Sequence, residues 1–184
     1  LAAHEGIRDV LISGGDPLIL PTEALQQVLD QVTRLPHVDV VRVATRTPVL
    51  LPMRFSDPGL LPLLARSGKV WVNTQFNHPL ELTAPARRAC AALVDAGIPV
   101  GNQSVLLKGV NDDVEVLEAL FRGLVAARVR PYYLFLCEPG RGVGHFRTTV
   151  AEGLRLIGAL RGRVSGLAQP ALIVDLPGGQ GKVR

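Results

Sequence analysis

A chain of 184 residues with 47% hydrophobic content, a formal charge of +4 and two cysteines can bury a substantial core and reads as a single domain or a large piece of one. Its apolar runs are short and broken by Gly, Pro or charge, which argues against a membrane-spanning helix of ~20 residues, and its arginines are scattered among acidic residues without stacking aromatics, which argues against nucleic-acid binding. Cys90 and Cys137 are too few for a disulfide framework or a metal cluster and fit a reducing cytoplasm, with Cys90 a small buried residue of a helix.

Leu1 to Ile7 reads as the last turn of a helix feeding a strand, with no cleavable signal pattern, so the true start is expected upstream. Asp9 to Ser13 is the first strand candidate. Thr22 then precedes Leu25, Val28, Leu29 and Val32, the spacing of one buried helix face. Val40 to Ala44 is the second strand. Ser56-Asp57-Pro58 opens a helix that Gly68 closes, and Val70 to Asn73 is the third strand. Thr83 opens the next helix, with Pro85 in its first turn and Gly97 at its end, leading to a strand over Val100 to Val105. Asp113 leads into Leu117, Leu120, Phe121 and Leu124; Tyr132 to Leu136 is a strand; Thr149-x-x-Glu152 is a capping box; Ala171 to Val174 is the last strand.

Strands and helices alternate with the period of repeated βα units, and no linker or low-complexity stretch intervenes. A doubly wound sheet would concentrate ligand groups at one switch point. Here nearly every strand ends in polar residues: Ser13-Gly14-Gly15-Asp16, Thr45-Arg46-Thr47, Asn73-Thr74-Gln75, Asn102-Gln103-Ser104, Cys137-Glu138 and Asp175. In a (β/α) barrel the chemistry sits at those ends. Six strands are too few to close an eight-stranded barrel, so the expected fold is α/β, a partial or open parallel (β/α) barrel occupying residues 1–184 as a single domain.

Several constellations have both a chemical and a plain structural reading. Gly14-Gly15-Asp16-Pro17 lets backbone approach a ligand, or is simply a strand-to-helix turn. Asn73 to Pro79 sets amides and an imidazole beyond a strand, where they can hold a ribose or a carboxylate; His78 has no second metal ligand at useful spacing. Gly101-Asn102-Gln103-Ser104 places polar groups in a buried strand, where either a ligand or neighbouring side chains must satisfy them. Glu138 and Asp175 end different strands and can act as acid and base, hold a cation, or form salt bridges to arginines such as Arg141 or Arg147.

Asp175-Leu176-Pro177-Gly178-Gly179-Gln180-Gly181-Lys182 follows the last apolar run with a glycine-rich turn closing on a lysine. Its plain reading is a surface loop. It is no Walker A motif, because the glycines are misspaced and Val183 follows the lysine. Bare glycine N–H groups can approach a phosphate and flexible backbone lets an amine reach an aldehyde, which suits pyridoxal 5′-phosphate.

Taken together, Val10 to Asp16, Arg46 to Val49, Asn73 to Pro79, Gly101 to Leu107, Arg130 to Tyr133, His145 to Thr148 and Asp175 to Lys182 resemble, in order and spacing, the lysine 2,3-aminomutase family of radical S-adenosylmethionine enzymes. The resemblance spans almost the whole chain. It implies a radical-S-adenosylmethionine-type barrel in which a reduced 4Fe-4S cluster cleaves S-adenosylmethionine, and the 5′-deoxyadenosyl radical takes hydrogen from an amino acid held as an aldimine with pyridoxal phosphate. The amino group moves from Cα to Cβ, most simply turning L-lysine into β-lysine. By position it implies Lys182 as the aldimine lysine, Gly178, Gly179 and Gly181 around the same cofactor, and Asp175 and Glu138 on the substrate's distal ammonium. Ser13, Gly14, Gly15, Asp16 and Gln103 would meet S-adenosylmethionine.

Departures from the family pattern bound these expectations. The C-x3-C-x2-C motif of the family is absent, as are the arginines near it, so the chain is read as the C-terminal part of a catalytic core whose cluster-binding part lies upstream, inactive alone. Glu138 stands where members often carry Asp, lengthening the reach by one methylene. Asp113 falls where some members have a zinc-ligating cysteine, and no zinc site is expected within these residues. Two carboxylates disfavour an acidic substrate and leave arginine or a protein-borne lysine as alternatives to lysine. The resemblance further implies an isomerase that is homo-oligomeric and dependent on an electron donor, and composition adds that it is cytoplasmic and bound to neither nucleic acid nor membrane. A non-radical pyridoxal barrel and a cluster-free binding protein remain alternatives.

Overall fold

The computed structural model describes residues 1–176 and 181–183. Two compact units are distinguished, Leu1–Thr74 with Thr83–Gly101, and Gln75–Leu82 with Asn102–Arg184.

In the first unit β1 (Asp9–Ile12), β2 (Val40–Thr45) and β3 (Val70–Thr74) run parallel, with Val10 opposite Val41 and Val43 opposite Val72. The helices are α1 (Thr22–Thr33), α2 (Thr47–Leu50), α3 (Leu60–Ala65) and α4 (Ala84–Asp95). Side chains alternate across a strand, and Val41, Val43 and Val72 are buried in one core with Leu25 and Leu29 of α1, Leu60 and Leu64 of α3, and Cys90 and Leu93 of α4. The opposite face reads differently. Leu11 and Trp71, each 47% exposed, lie in register on either side of Arg42, so this part of a parallel sheet has one packed and one open face.

Several local expectations change. Leu1 to Ile7 forms no helical turn: the His4 N–H donates to Leu1 O at 2.9 Å and the Ile7 N–H to His4 O at 3.1 Å, two separate turns. Strand β1 stops one residue early, and β2 and β3 run one residue further. Thr22 is the first residue of α1, after Pro21, and its hydroxyl is used tertiarily, donating to Asp57 Oδ2 at 2.6 Å. Asp57 accepts from the Gly59 N–H at 2.8 Å, so the expected helix starts only at Leu60. Arg54 completes this clamp from a 3-10 turn, Pro52–Ser56, donating to Leu18 O, Leu20 O, Thr22 Oγ1 and Asp57 Oδ2 at 2.6–3.1 Å.

The second unit holds β5 (Arg130–Leu136) parallel to β6 (Ala171–Leu176), with β7 (Gly181–Val183) antiparallel to β6. It also holds the greater part of β4 (Val100–Leu106), with α5 (Val114–Ala126) and α6 (Val150–Leu160). Asp113 caps α5 and the Thr149–Glu152 box caps α6, as the pattern predicts. Phe121, Leu117, Leu120 and Leu124 of α5 and Leu156 and Leu160 of α6 are buried in this unit with Leu134 and Ile173. Gly153 permits close approach of α6, since a Cβ there would meet Leu172 at 3.0 Å and Leu136 at 3.1 Å. Strand β7 has no counterpart among the expected strands; three exposed residues after a glycine-rich run carry no apolar pattern.

Candidate functional site

The turn after β1 leaves its backbone open. Gly14 sits at φ +127°, a conformation that side-chain-bearing residues rarely adopt, and nothing lies within 4 Å of where a Cβ would stand at Gly14 or Gly15. Ser13 and both glycines are exposed, so a ligand's polar group can reach their N–H groups. Asp16, the last residue of this turn, is hydrogen-bonded within the protein. Its Oδ1 accepts from the Leu18 N–H at 3.0 Å and from the Thr45 hydroxyl at 2.6 Å, and its Oδ2 accepts from the Arg46 N–H at 2.6 Å. Three donors at such distances tie the ends of β1 and β2 together through this carboxylate.

In the second unit the segment after β3 is an internal brace. Asn102 Oδ1 accepts from the buried Phe76 N–H at 2.6 Å, while the Asn102 amide and the Ser104 hydroxyl both donate to Phe76 O, at 3.3 and 2.7 Å. Asn77 Oδ1 accepts from the Val105 N–H at 2.8 Å, and Asn111 donates to Asn77 O at 2.7 Å. His78 accepts from the Leu80 N–H through Nδ1 at 3.2 Å and caps the 3-10 turn Pro79–Glu81. Asn77 Oδ1 and His78 Nδ1 therefore each hold backbone. The polar residues inside β4 are satisfied by neighbours, one of the two possibilities their burial left open. Gln103 differs: it is half-buried, and the Tyr132 hydroxyl lies 3.2 Å from its Oε1, which leaves the amide N–H groups to donate elsewhere.

The β6–β7 pair assembles the remaining residues. In register Asp175 stands opposite Lys182, and Lys182 Nζ donates to Asp175 Oδ2 at 2.9 Å. The ammonium also lies 5.5 Å from the centroid of the Phe135 ring, itself packed edge-on against Tyr133. Lys182 is 46% exposed and Asp175 28%. Glu138, Asp175, Cys137, Arg147 and Thr148 line one cavity of about 450 Å³, and the Thr148 hydroxyl is buried there without a partner. Asp175 pairs with Lys182 and not with Arg141 or Arg147, and Glu138 forms no ion pair with another described residue. Gly178 and Gly179 lie outside the described residues; Gly181 begins β7.

The structure thus brings Glu138, Asp175 and Lys182 together in the second unit, while Ser13, Gly14, Gly15 and Asp16 belong to the first. Sequence reading missed Tyr132 and Phe135 as neighbours of the site. The signal was available for Phe135, because Tyr133 and Phe135 share one face of β5 by the two-residue period of a strand.

An exposed primary amine beside a carboxylate and over an aromatic ring fits pyridoxal phosphate, and the open turn at Gly14-Gly15 fits the approach of S-adenosylmethionine. An iron–sulfur cluster does not fit. Among the described residues no group of three His, Cys, Asp or Glu could hold a metal; the two cysteines are apart in sequence, and burial pushes the Cys90 thiol up to about 12. No helix among the described residues is long and apolar enough to cross a membrane.

No protein-family model matches the chain. It is 53% identical over 180 residues to a putative L-lysine 2,3-aminomutase of Aquifex aeolicus, covering 98% of this chain and 49% of that protein. It is 50% identical to the L-lysine 2,3-aminomutase of Clostridium subterminale over 96% of this chain and 42% of that protein. The glutamate 2,3-aminomutase of Clostridioides difficile is 45% identical over 97% of this chain and 42% of its own length. The chain thus spans about half the length, or somewhat less, of these curated relatives. Among solved structures it resembles Streptococcus suis SuiB (TM-score 0.65, 12% identity, 91% of this chain and 39% of that one). It also resembles a radical SAM methyltransferase from Sphaerobacter thermophilus (TM-score 0.64, 18% identity, 91% and 51%). The expected fold class, α/β of the radical S-adenosylmethionine barrel type, is the one these structures share with it.

Proposed function

Taking as premise that the chain belongs to the lysine 2,3-aminomutase family, we propose that it forms part of an isomerase moving the amino group of a basic amino acid, most simply L-lysine, from Cα to Cβ. The observation that carries this reading is the Lys182–Asp175 pair, an exposed amine and a carboxylate set opposite each other across two short strands.

In this reading Lys182 would hold pyridoxal phosphate through its amine, and Gly178, Gly179 and Gly181 are assigned to the same cofactor. Asp175 and Glu138 hold the distal ammonium of the substrate in their shared cavity. Two carboxylates there attract a cation and repel an acidic side chain, which favours lysine over glutamate, although relatives carry either name. Ser13, Gly14 and Gly15 offer backbone donors to S-adenosylmethionine, and Gln103, its carbonyl occupied by Tyr132, offers an amide donor. Asp16 acts by keeping that turn in place. When bound, pyridoxal phosphate supplies covalent attachment and delocalisation, and S-adenosylmethionine supplies the hydrogen-abstracting group. The 4Fe-4S cluster and its electron donor are assigned to protein outside these residues, which cannot hold it. A homo-oligomer in the cytoplasm, acting on a small-molecule amino acid without nucleic acid or membrane, completes the proposal.

The test is Lys182→Ala in the full-length protein. The variant should lose the pyridoxal absorbance while keeping its far-ultraviolet circular dichroism; retention of the absorbance overturns the assignment of Lys182.

A further inference from the structure

One carboxylate is asked to serve two cations. Asp175 already accepts from Lys182 Nζ at 2.9 Å, and it is the group that the proposed function gives to the substrate's distal ammonium. The alternatives around it are limited. Glu138 lines the same cavity, Phe135 lies under the lysine, and Arg147 brings a positive charge into the cavity, so no second acidic group stands against the Lys182 ammonium among the described ion pairs.

We propose that Lys182 is a placeholder for the substrate: in the cofactor-free protein its ammonium occupies the seat on Asp175 that a substrate ammonium takes once Lys182 is consumed by the cofactor. This inference rests on the function proposed above. The covalent step balances simply. Lys182 Nζ leaves Asp175, gives its extra proton to solvent, and bonds the aldehyde carbon of pyridoxal phosphate, whose oxygen departs as water. Nothing is oxidised or reduced. The carboxylate is left without its cation, in a cavity that Glu138 also lines, and a diamino acid restores the charge balance. Loading the cofactor therefore vacates the seat on Asp175 that the ammonium of an incoming substrate takes. An ion pair exposed to this degree is worth only a modest factor, about two- to fivefold in an equilibrium constant.

The experiment uses the full-length protein stripped of pyridoxal phosphate. Calorimetry with L-lysine, and with norleucine as the analogue lacking the distal ammonium, is run on wild type and Lys182→Ala. The variant, with Asp175 vacated, should bind lysine about two- to fivefold more tightly than wild type and norleucine unchanged. Equal lysine affinities, or an equal gain for norleucine, overturn the proposal. In parallel, the rise of pyridoxal absorbance is followed in wild type and Asp175→Asn, an isosteric change that keeps the strand pair. Faster loading in the variant supports the placeholder; unchanged or slower loading refutes it. If wild type itself takes up no pyridoxal phosphate, the proposed function fails instead, and the two failures are told apart.

Discussion

Replacing Asn102 by Ala tests how the turn after β3 is held. Its side chain is fully buried and accepts the Phe76 N–H at 2.6 Å, and Phe76 is itself fully buried. Truncation leaves that N–H with no acceptor and no water, a penalty of about 1–3 kcal/mol. It also removes the donations to Ser104 Oγ at 2.9 Å and to Phe76 O at 3.3 Å. The carbonyl keeps the Ser104 hydroxyl at 2.7 Å, so this second loss adds about 1 kcal/mol. The sum, about 2–4 kcal/mol, corresponds to a fall of about 5–12 °C in Tm for a chain of this size. Ser104→Ala should cost less, about 1 kcal/mol, because Asn102 still donates to the same carbonyl. Urea and thermal unfolding of the two single variants measure the difference. If Asn102→Ala loses less than about 0.5 kcal/mol, or no more than Ser104→Ala, the brace does not hold the turn as argued.

Two further outcomes follow from the charge and thiol environments. Hydrogen bonds from Thr22, then from the Gly59 N–H and Arg54, hold the Asp57 carboxyl at about 2 against an ordinary 3.8, so its contribution is complete above about pH 4 and is lost as pH falls through about 2. Asp57→Asn should flatten the fall in stability across that interval, and an unchanged acid-unfolding profile counts against the clamp. Native protein treated with a thiol reagent at pH 8 should modify Cys137, which lines the cavity, and spare Cys90, whose thiol burial pushes up to about 12. Removing Cys137 by substitution with Ser should abolish the fast phase; equal reactivity of both thiols in native protein shows that the Cys90 helix is not packed as described.

What could be read in the sequence was periodic or local. Helices with a full apolar face and a proper cap, such as α5 behind Asp113 and α6 behind Thr149 and Glu152, emerge where expected because the signals are carried by residues within one turn. What could not be read depends on partners distant in sequence. Nothing near Thr22 in sequence shows that Asp57 and Arg54 claim its hydroxyl, and nothing near Asp16 shows that Thr45 and Arg46 reach it from the next strand. Asn102 and Ser104 announced their need for partners, but only the folded chain supplies Phe76 as the partner. Lys182 was legible as an amine on glycine-rich backbone; that it stands on a strand, paired with Asp175, follows from a three-residue ladder that no apolar pattern marks.

That ladder makes the lysine's position discrete. A slip of one residue between β6 and β7 would turn Lys182 to the other side of the ribbon, and a slip of two would restore its side but carry it roughly 7 Å along the strand. A change of register in this hairpin therefore cannot adjust the gap between amine and carboxylate gradually. Finer adjustment comes from side-chain length, as beyond the end of β5, where exchanging Asp for Glu at position 138 alters reach by a single methylene without disturbing a backbone pairing. Variation among descendants of this chain should accumulate at 138 while the spacing of 175 and 182 stays frozen.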